Sequence, residues 1–185
     1  MLKKLASGVI ASAFLLSTVR AHAALDAYVY IVGQKSGPIK GSVTQQGREG
    51  SILVLGASHS VVSPRDPQSG LPTGKRMHKP FVITKEIDKS SPILYSLLDT
   101  NENLSSVTIK FWTPQVRGAT GSSSEVQSYT VTLTNASIAS ITFHDTNDKT
   151  TADEAPKEDV AFTYQKITWT WNDGGITSGD TWQQN

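Results

Sequence analysis

The sequence predicts a mainly β domain, a small β-barrel of two bent antiparallel sheets with one short α-helix. Three observations predict it. Most of the chain after residue 25 runs in stretches of β-branched and aromatic residues at a period of two, separated by Gly- and Pro-rich breaks. A single segment, Ser91 to Thr100, carries apolar residues at helical spacing. The two longest alternating runs also change phase partway along. Tyr129, Val131 and Leu133 are odd, Ala136 and Ile138 even, and Ile141 and Phe143 odd again; Val160, Phe162 and Tyr164 are even, whereas Ile167, Trp169 and Trp171 are odd. Side chains alternate along a strand, so a phase change requires a bulge or a bend. Strands bent in this way belong to small barrels or orthogonal sandwiches. The alternative is a strand buried on both faces.

The first 23 residues read as a secretory signal peptide. Met1-Leu2-Lys3-Lys4 is a basic start, Leu5 to Val19 an apolar run, and Ala21-His22-Ala23 a small-x-small pattern, with cleavage expected between Ala23 and Ala24. The run is shorter than the roughly 20 residues that cross a bilayer, so no stable membrane insertion is expected after cleavage. Residues 24–185 then form one domain. Three basic residues and no acidic ones leave with the signal, so the formal charge passes from +1 to −2 with His neutral. That balance argues against nucleic-acid partners. There is no cysteine, so an exported chain is held by packing alone, without disulfides or thiolate metal sites.

Asp26 to Val32 is apolar or aromatic on both faces, as in a strand covered on both sides, and Gly33 and Gly37-Pro38 break it. Ile39 to Thr44 and Ser51 to Val62 are expected as strands around a turn at Gln46-Gly47-Arg48-Glu49-Gly50. Ser63 to Gly74 gathers three prolines and two glycines into a long irregular excursion, functional or simply mobile. Pro80 to Ile87 is a strand. Ser91 is the expected N-cap and Pro92 the first helical residue, with Ile93, Leu94, Leu97 and Leu98 on one face. Leu104 to Trp112 alternates, and Pro114 to Ser124 is expected as the turn of a hairpin.

The segment Ile83-Thr84-Lys85-Glu86-Ile87-Asp88-Lys89-Ser90-Ser91-Pro92, with Gly41-Ser42-Val43 and Ile52-Leu53-Val54-Leu55 before it and Tyr129-Thr130-Val131-Thr132-Leu133 after it, resembles the Hcp (haemolysin co-regulated protein) family of type VI secretion. The resemblance covers residues 24–185. It implies a β-barrel flanked by one helix, assembling into hexameric rings that stack as the inner tube of an injection machine, are themselves exported, and can hold small effector proteins. Within it, Thr84, Lys85, Asp88, Ser91 and Pro92 carry the structural motif. Asp66, Gln68, Leu71, Lys75 and Arg76, on the loop from Ser63 to Lys79, are candidates for ring stacking. Ser58, His59 and Ser60 are placed near the inner wall as cargo candidates, as are Thr130, Thr132 and Thr134, which a solvated strand face explains equally well.

No enzymatic constellation can be assembled: Ser58 and His59 are neighbours in sequence, but a nucleophile and base must meet in space with a third orienting group. The acidic stretch His144 to Glu154 lacks the spacing of a calcium loop. No cofactor is expected. Trp169 and Trp171 are assigned to the core by phase. The second functional reading is a monomeric exported β-domain acting as an adhesin or binding module. Type VI tubes form in the cytoplasm, so a signal peptide implies secretion through the periplasm and a ring outside the working tube.

Overall fold

Among the described residues the strand alternation is realised in eleven strands, with one α-helix and a single 3-10 turn at Asp173–Gly175. The computed structural model describes residues 26–117, 122–145 and 155–181, and the signal segment and its cleavage point at Ala23 and Ala24 lie outside them. In chain order the elements are β1 (Asp26–Gly33), β2 (Gly37–Ile39), β3 (Ile52–Val54), β4 (Gly56–Ser58), β5 (Val61–Val62), β6 (Met77–His78), β7 (Phe81–Glu86), α1 (Ser91–Asp99), β8 (Leu104–Arg117), β9 (Ser122–His144), β10 (Lys157–Trp171) and β11 (Ile176–Thr181).

Nine of the strands form one antiparallel sheet in the order β2-β1-β8-β9-β10-β7-β4, with β11 on β10 and β3 on β1, and β5 and β6 form a separate ribbon. β3 and β4 are joined by Leu55 alone, yet β3 pairs with β1 and β4 with β7, strands near opposite ends of that order. The sheet is therefore curled until one short bent segment spans its two sides, around a core that includes Val29, Ile31, Val107, Ile109, Leu133, Phe162 and Ile167.

Both phase changes of β9 fall on physical irregularities. Asn135 takes a left-handed backbone (φ 49°) where the buried set switches from Leu133 to Ala136; Asn tolerates this region better than most residues. Ala161 pairs with Ser140 and Phe162 with Ile138, so Ala139 is the extra residue of a bulge at the second switch. In β10 the switch occurs at Gln165 and Lys166, both exposed.

Several expected elements are shorter or placed differently. The run Ile39–Thr44 contributes only Ile39 to a strand, and Ser51–Val62 is cut into three pieces by the bend at Leu55 and the exit toward β5. The helix begins at Ser91, with Ser90 rather than Ser91 at the N-cap; no side chain caps it, since the Ser90 hydroxyl donates to Asp88 and the Ser91 hydroxyl to Glu158. Leu94 and Leu97 face the core, whereas Ile93 is exposed. Trp169 packs against the core as expected, but Trp171, one row further toward the end of the sheet, is 48% exposed.

Candidate functional site

The motif residues converge where β7 turns into α1. Lys85 sits on the inward face of β7 with Phe81 and Ile83, a position that burial forbids to an unpaired ammonium. Its partner is Glu158, directly opposite on β10: Lys85 Nζ lies 2.8 Å from Glu158 Oε1, and both side chains are 0% exposed. Ser91 Oγ donates to the same carboxylate at 2.8 Å and accepts from Lys85 Nζ at 2.9 Å.

Asp88 completes the joint at 3.1 Å from Lys85 Nζ, accepting also from the Ser42 amide at 2.9 Å and from the Ser90 amide and hydroxyl. Burial works to raise its pKa, but the Ser90 hydroxyl and the Lys85 ammonium outweigh that and hold it below the usual carboxylate value. Pro92 occupies the first turn of α1, where an absent N–H costs nothing. Thr84 Oγ1 donates to Asp159 Oδ1 at 2.5 Å on the outer face. Gly41-Ser42-Val43 and the strand-to-helix segment are thus one structural unit, beside a hollow of about 450 Å³ lined by Tyr28, Ser42, Gln45, Leu53 and Ile87. Glu158 was not singled out from sequence, although extending the even phase of Val160 and Phe162 back by two residues reaches it.

A second locked element is the turn at Gln46–Gly50. Arg48 is buried with its guanidinium 3.9 Å from the Trp112 ring centroid and 4.8 Å from that of Tyr28. It pairs with Glu125 at 2.5 Å and donates to the Tyr28 hydroxyl at 3.1 Å. Positive φ at Gly47 and Gly50 lets so short a turn swing the side chain inward. A lone Arg among turn residues gives no sequence signal of this kind.

The expected irregular loop is a hydrogen-bonded hairpin arm. β5 and β6 pair through Val61–His78 and Val62–Met77, and Arg65 bridges Pro72. At the tip the Asp66 amide donates to Leu71 O and the Gly70 amide to Asp66 O, both at 2.9 Å. Asp66 Oδ1 accepts from the amides of Gln68 and Ser69 and from the Ser69 hydroxyl, bonds that keep this carboxyl below its ordinary pKa. Leu71, 66% exposed, stands on this tip, and Lys75 and Arg76 lie on the return limb.

Its root is a polar cluster. Arg76 forms a two-point ion pair with Asp180 of β11, and His78 Nε2 lies 2.8 Å from Asp180 Oδ2. His78 Nδ1 is 3.0 Å from the Tyr164 hydroxyl, which is 2.6 Å from His59 Nε2. His59 stacks on Phe81 and His78 on Trp169. Arg76, with smaller help from His78, holds Asp180 far below the carboxylate range, while burial and then the Asp180 charge push Tyr164 up to about 12. Burial, with the neighbouring His78, lowers His59.

This placement separates Ser58, His59 and Ser60. Ser58 and Ser60 are exposed, whereas the His59 ring is turned into the cluster and toward a phenol rather than a serine. Thr130, Thr132 and Thr134 are half-buried on the outward face of β9, in rows with Lys110 and Thr170, Thr108 and Thr168, and Ser106 and Lys166. His144 pairs with Asp159 at 3.0 Å; the rest of the acidic stretch, residues 146–154, and Trp182 lie outside the described residues.

Comparison with known proteins agrees with this geometry. Residues 28–171 match the family described as "Type VI secretion system effector, Hcp". The chain is 40% identical over 171 residues, 86% of this chain and 96% of the other, to the "Major exported protein" of Pseudomonas aeruginosa. Among solved structures it is similar to the Hcp1 protein of the E. coli EAEC 042 pathovar in a doubly substituted form, at 36% identity and a TM-score of 0.73, covering 86% of this chain and 99% of that one. It is also similar to the secreted protein Hcp3 of Pseudomonas aeruginosa, at 33% identity and a TM-score of 0.67, covering 87% and 100%. The kinship to exported and secreted proteins accords with a secreted localisation. With the motif joint built from the residues that carry the resemblance, and the match running from β1 to β10, the chain belongs to the Hcp family of type VI secretion.

Proposed function

We propose that this chain is a ring subunit: six copies close into a hexamer, rings stack head to tail, and the lumen carries or shields small effector proteins. Heterologous contacts that close give rings, and head-to-tail contacts between rings give open tubes. The observation that carries the reading is the arm. Its tip is tied by its own backbone and by Asp66, so its conformation is set before docking and little entropy is lost on contact. It also presents Val61, Val62, Leu71 and Met77 to solvent, an apolar surface that a single subunit leaves uncovered.

Asp66, Gln68, Leu71, Lys75 and Arg76 are assigned to ring stacking on this basis. The threonine rows of β8, β9 and β10, with Ser58 and Ser60, are assigned to the inner wall, where small hydroxyls would meet a passing protein without holding it fast. Residues 1–23 direct the subunit through the general export route, so that rings form outside the cytoplasm. Electron micrographs of the purified chain test the reading: six-fold annular particles and stacks are expected. Uniform particles of single-subunit size would overturn it and favour a monomeric exported binding module. Amino-terminal sequencing of the secreted product is expected to begin at Ala24, and an intact Met1 on a cytosolic product would refute the export route.

A further inference from the structure

Three segments distant in sequence give walls to the hollow of about 450 Å³ beside the motif joint. Ser42 and Val43 come from the stretch after β2, Leu53 from β3, and Glu86, Ile87 and Asp88 from the turn between β7 and α1. The outward positions here have the wrong chemistry for a wetted surface. Ile52 and Val54 of β3 are buried, yet the alternate positions are again leucines, Leu53 and Leu55, and both are exposed, as is Ile87. The solvent face of an antiparallel strand ordinarily carries polar residues. Apolar side chains gathered on such a face mark a contact surface.

The charge at the hollow is negative. Its lining includes the carboxylates of Glu86 and Asp88 and no cation. Beneath it, the one ammonium of Lys85 faces both Glu158 and Asp88, so the joint itself keeps one negative charge in excess.

The arm is the reverse. Val61, Val62, Leu71 and Met77 are exposed, and residues 61–79 hold Arg65, Lys75, Arg76 and Lys79 against a single acid, Asp66. Arg76 is neutralised by Asp180, which leaves three cations against one carboxylate. At the tip the Arg65 guanidinium donates to Gly70 O at 3.1 Å, next to exposed Leu71, so a cation and an apolar side chain are presented together.

A copy cannot fill its own hollow. The arm returns to the sheet just before Phe81, where the Lys79 amide donates to Ser60 O, whereas the hollow lies at the other end of β7, beyond Glu86. Six strand residues at about 3.3 Å each put these ends roughly 20 Å apart. β4 runs from Gly56 opposite Thr84 to Ser58 opposite Val82, carrying the chain away from the hollow before the arm begins. The Arg76 pair then ties the arm to β11, which lies along residues 166–171 of β10, while β7 lies along residues 157–162.

We propose that the hollow is the socket for the arm of a second copy: Leu71, with Arg65 beside it, seats between Leu53 and Ile87 of the next copy, against the carboxylates of Glu86 and Asp88. This rests on the arm's role in stacking proposed above and adds the surface that receives it. Each copy carries one plug and one socket at opposite ends of β7, so the contact is heterologous and can repeat from ring to ring.

The chain has no cysteine, so a pair of introduced thiols reports the contact directly. A disulfide needs Cα atoms within about 7 Å, which the placement of arm and hollow denies to Leu71 and Leu53 of one copy. Oxidation of the purified chain carrying Leu71→Cys and Leu53→Cys should therefore give a ladder of linked copies on a non-reducing gel, and either single variant no more than a dimer. Leu71→Cys with Ile87→Cys repeats the test on another wall, and all three positions are exposed, so the fold tolerates the change. Glu86→Lys should stack less than the parent at low salt and equally at about 1 M, where charges are screened beyond about 3 Å; unchanged stacking at low salt would overturn the charge match. Sedimentation velocity separates the two claims. Stacks that Leu71→Asp abolishes, with no ladder from either thiol pair, overturn the socket and leave the arm in the stacking contact. A parent chain that forms no stacks overturns both.

Discussion

Replacing Lys85 by Met tests whether the motif joint is a matched buried ion pair. The ammonium and the Glu158 carboxylate are both fully buried at 2.8 Å. Removing one partner of such a pair leaves an uncompensated charge and costs about 3–5 kcal/mol. The upper half of that range is expected for Lys85→Met, because Glu158 Oε1 would keep only the Ser91 hydroxyl and Oε2 already has no hydrogen-bond partner among the described residues. Glu158→Gln should cost less, since Lys85 retains Asp88 at 3.1 Å. For a chain of this length each kcal/mol lowers Tm by roughly 2–4 °C, so Lys85→Met should melt on the order of 10 °C lower. The double variant Lys85→Met, Glu158→Leu replaces two ions by apolar groups and should return to within about 1–2 kcal/mol of the parent. Urea unfolding at several protein concentrations is the assay, because assembly adds a concentration-dependent term to apparent stability. A loss below about 1 kcal/mol for Lys85→Met, or a double variant as unstable as the sum of the singles, would refute the reasoning.

Arg48→Ala removes two ring contacts and the Glu125 pair together, and should cost about 2–4 kcal/mol in the same urea assay. Asp88 has a folded pKa below its unfolded value, so its contribution is fully present above about pH 4 and lost as pH falls below it; urea midpoints from pH 6 to pH 3 should fall, and Asp88→Asn should flatten part of that fall. Deleting Asp66 to Gly74 removes the arm's tip and should shift the stacking equilibrium in sedimentation velocity while the thermal melt of the subunit moves little. An unchanged stacking equilibrium would remove those residues from the interface.

What could be read from the residues depended on how local the physics is. The phase switches at Leu133/Ala136, Ile138/Ile141 and Tyr164/Ile167 are period-two statements about single strands, and they map onto Asn135, the Ala139 bulge and the Gln165–Lys166 step. The helix was legible for the same reason, although its cap was not: Ser90 takes that position with its hydroxyl donated back to Asp88, and Ser91, inside the helix, is drawn to a carboxylate 67 positions away. The arm was read as irregular because two-residue strands have no period to detect, and its order comes from Asp66 and from backbone pairing. The polar cluster at its root joins residues up to 105 positions apart, and no spacing rule links His59 to Tyr164. Trp171 has the phase of a core residue, but core membership also depends on how far along the strand the sheet stays covered.

The central claim is that this chain works as a ring, and the native mass of residues 24–185 tests it most directly. Light scattering after size exclusion at neutral pH should give about six subunit masses, with larger species at high concentration as rings stack. A single-subunit mass at every concentration would contradict the account and leave an exported β-domain that binds its partners alone.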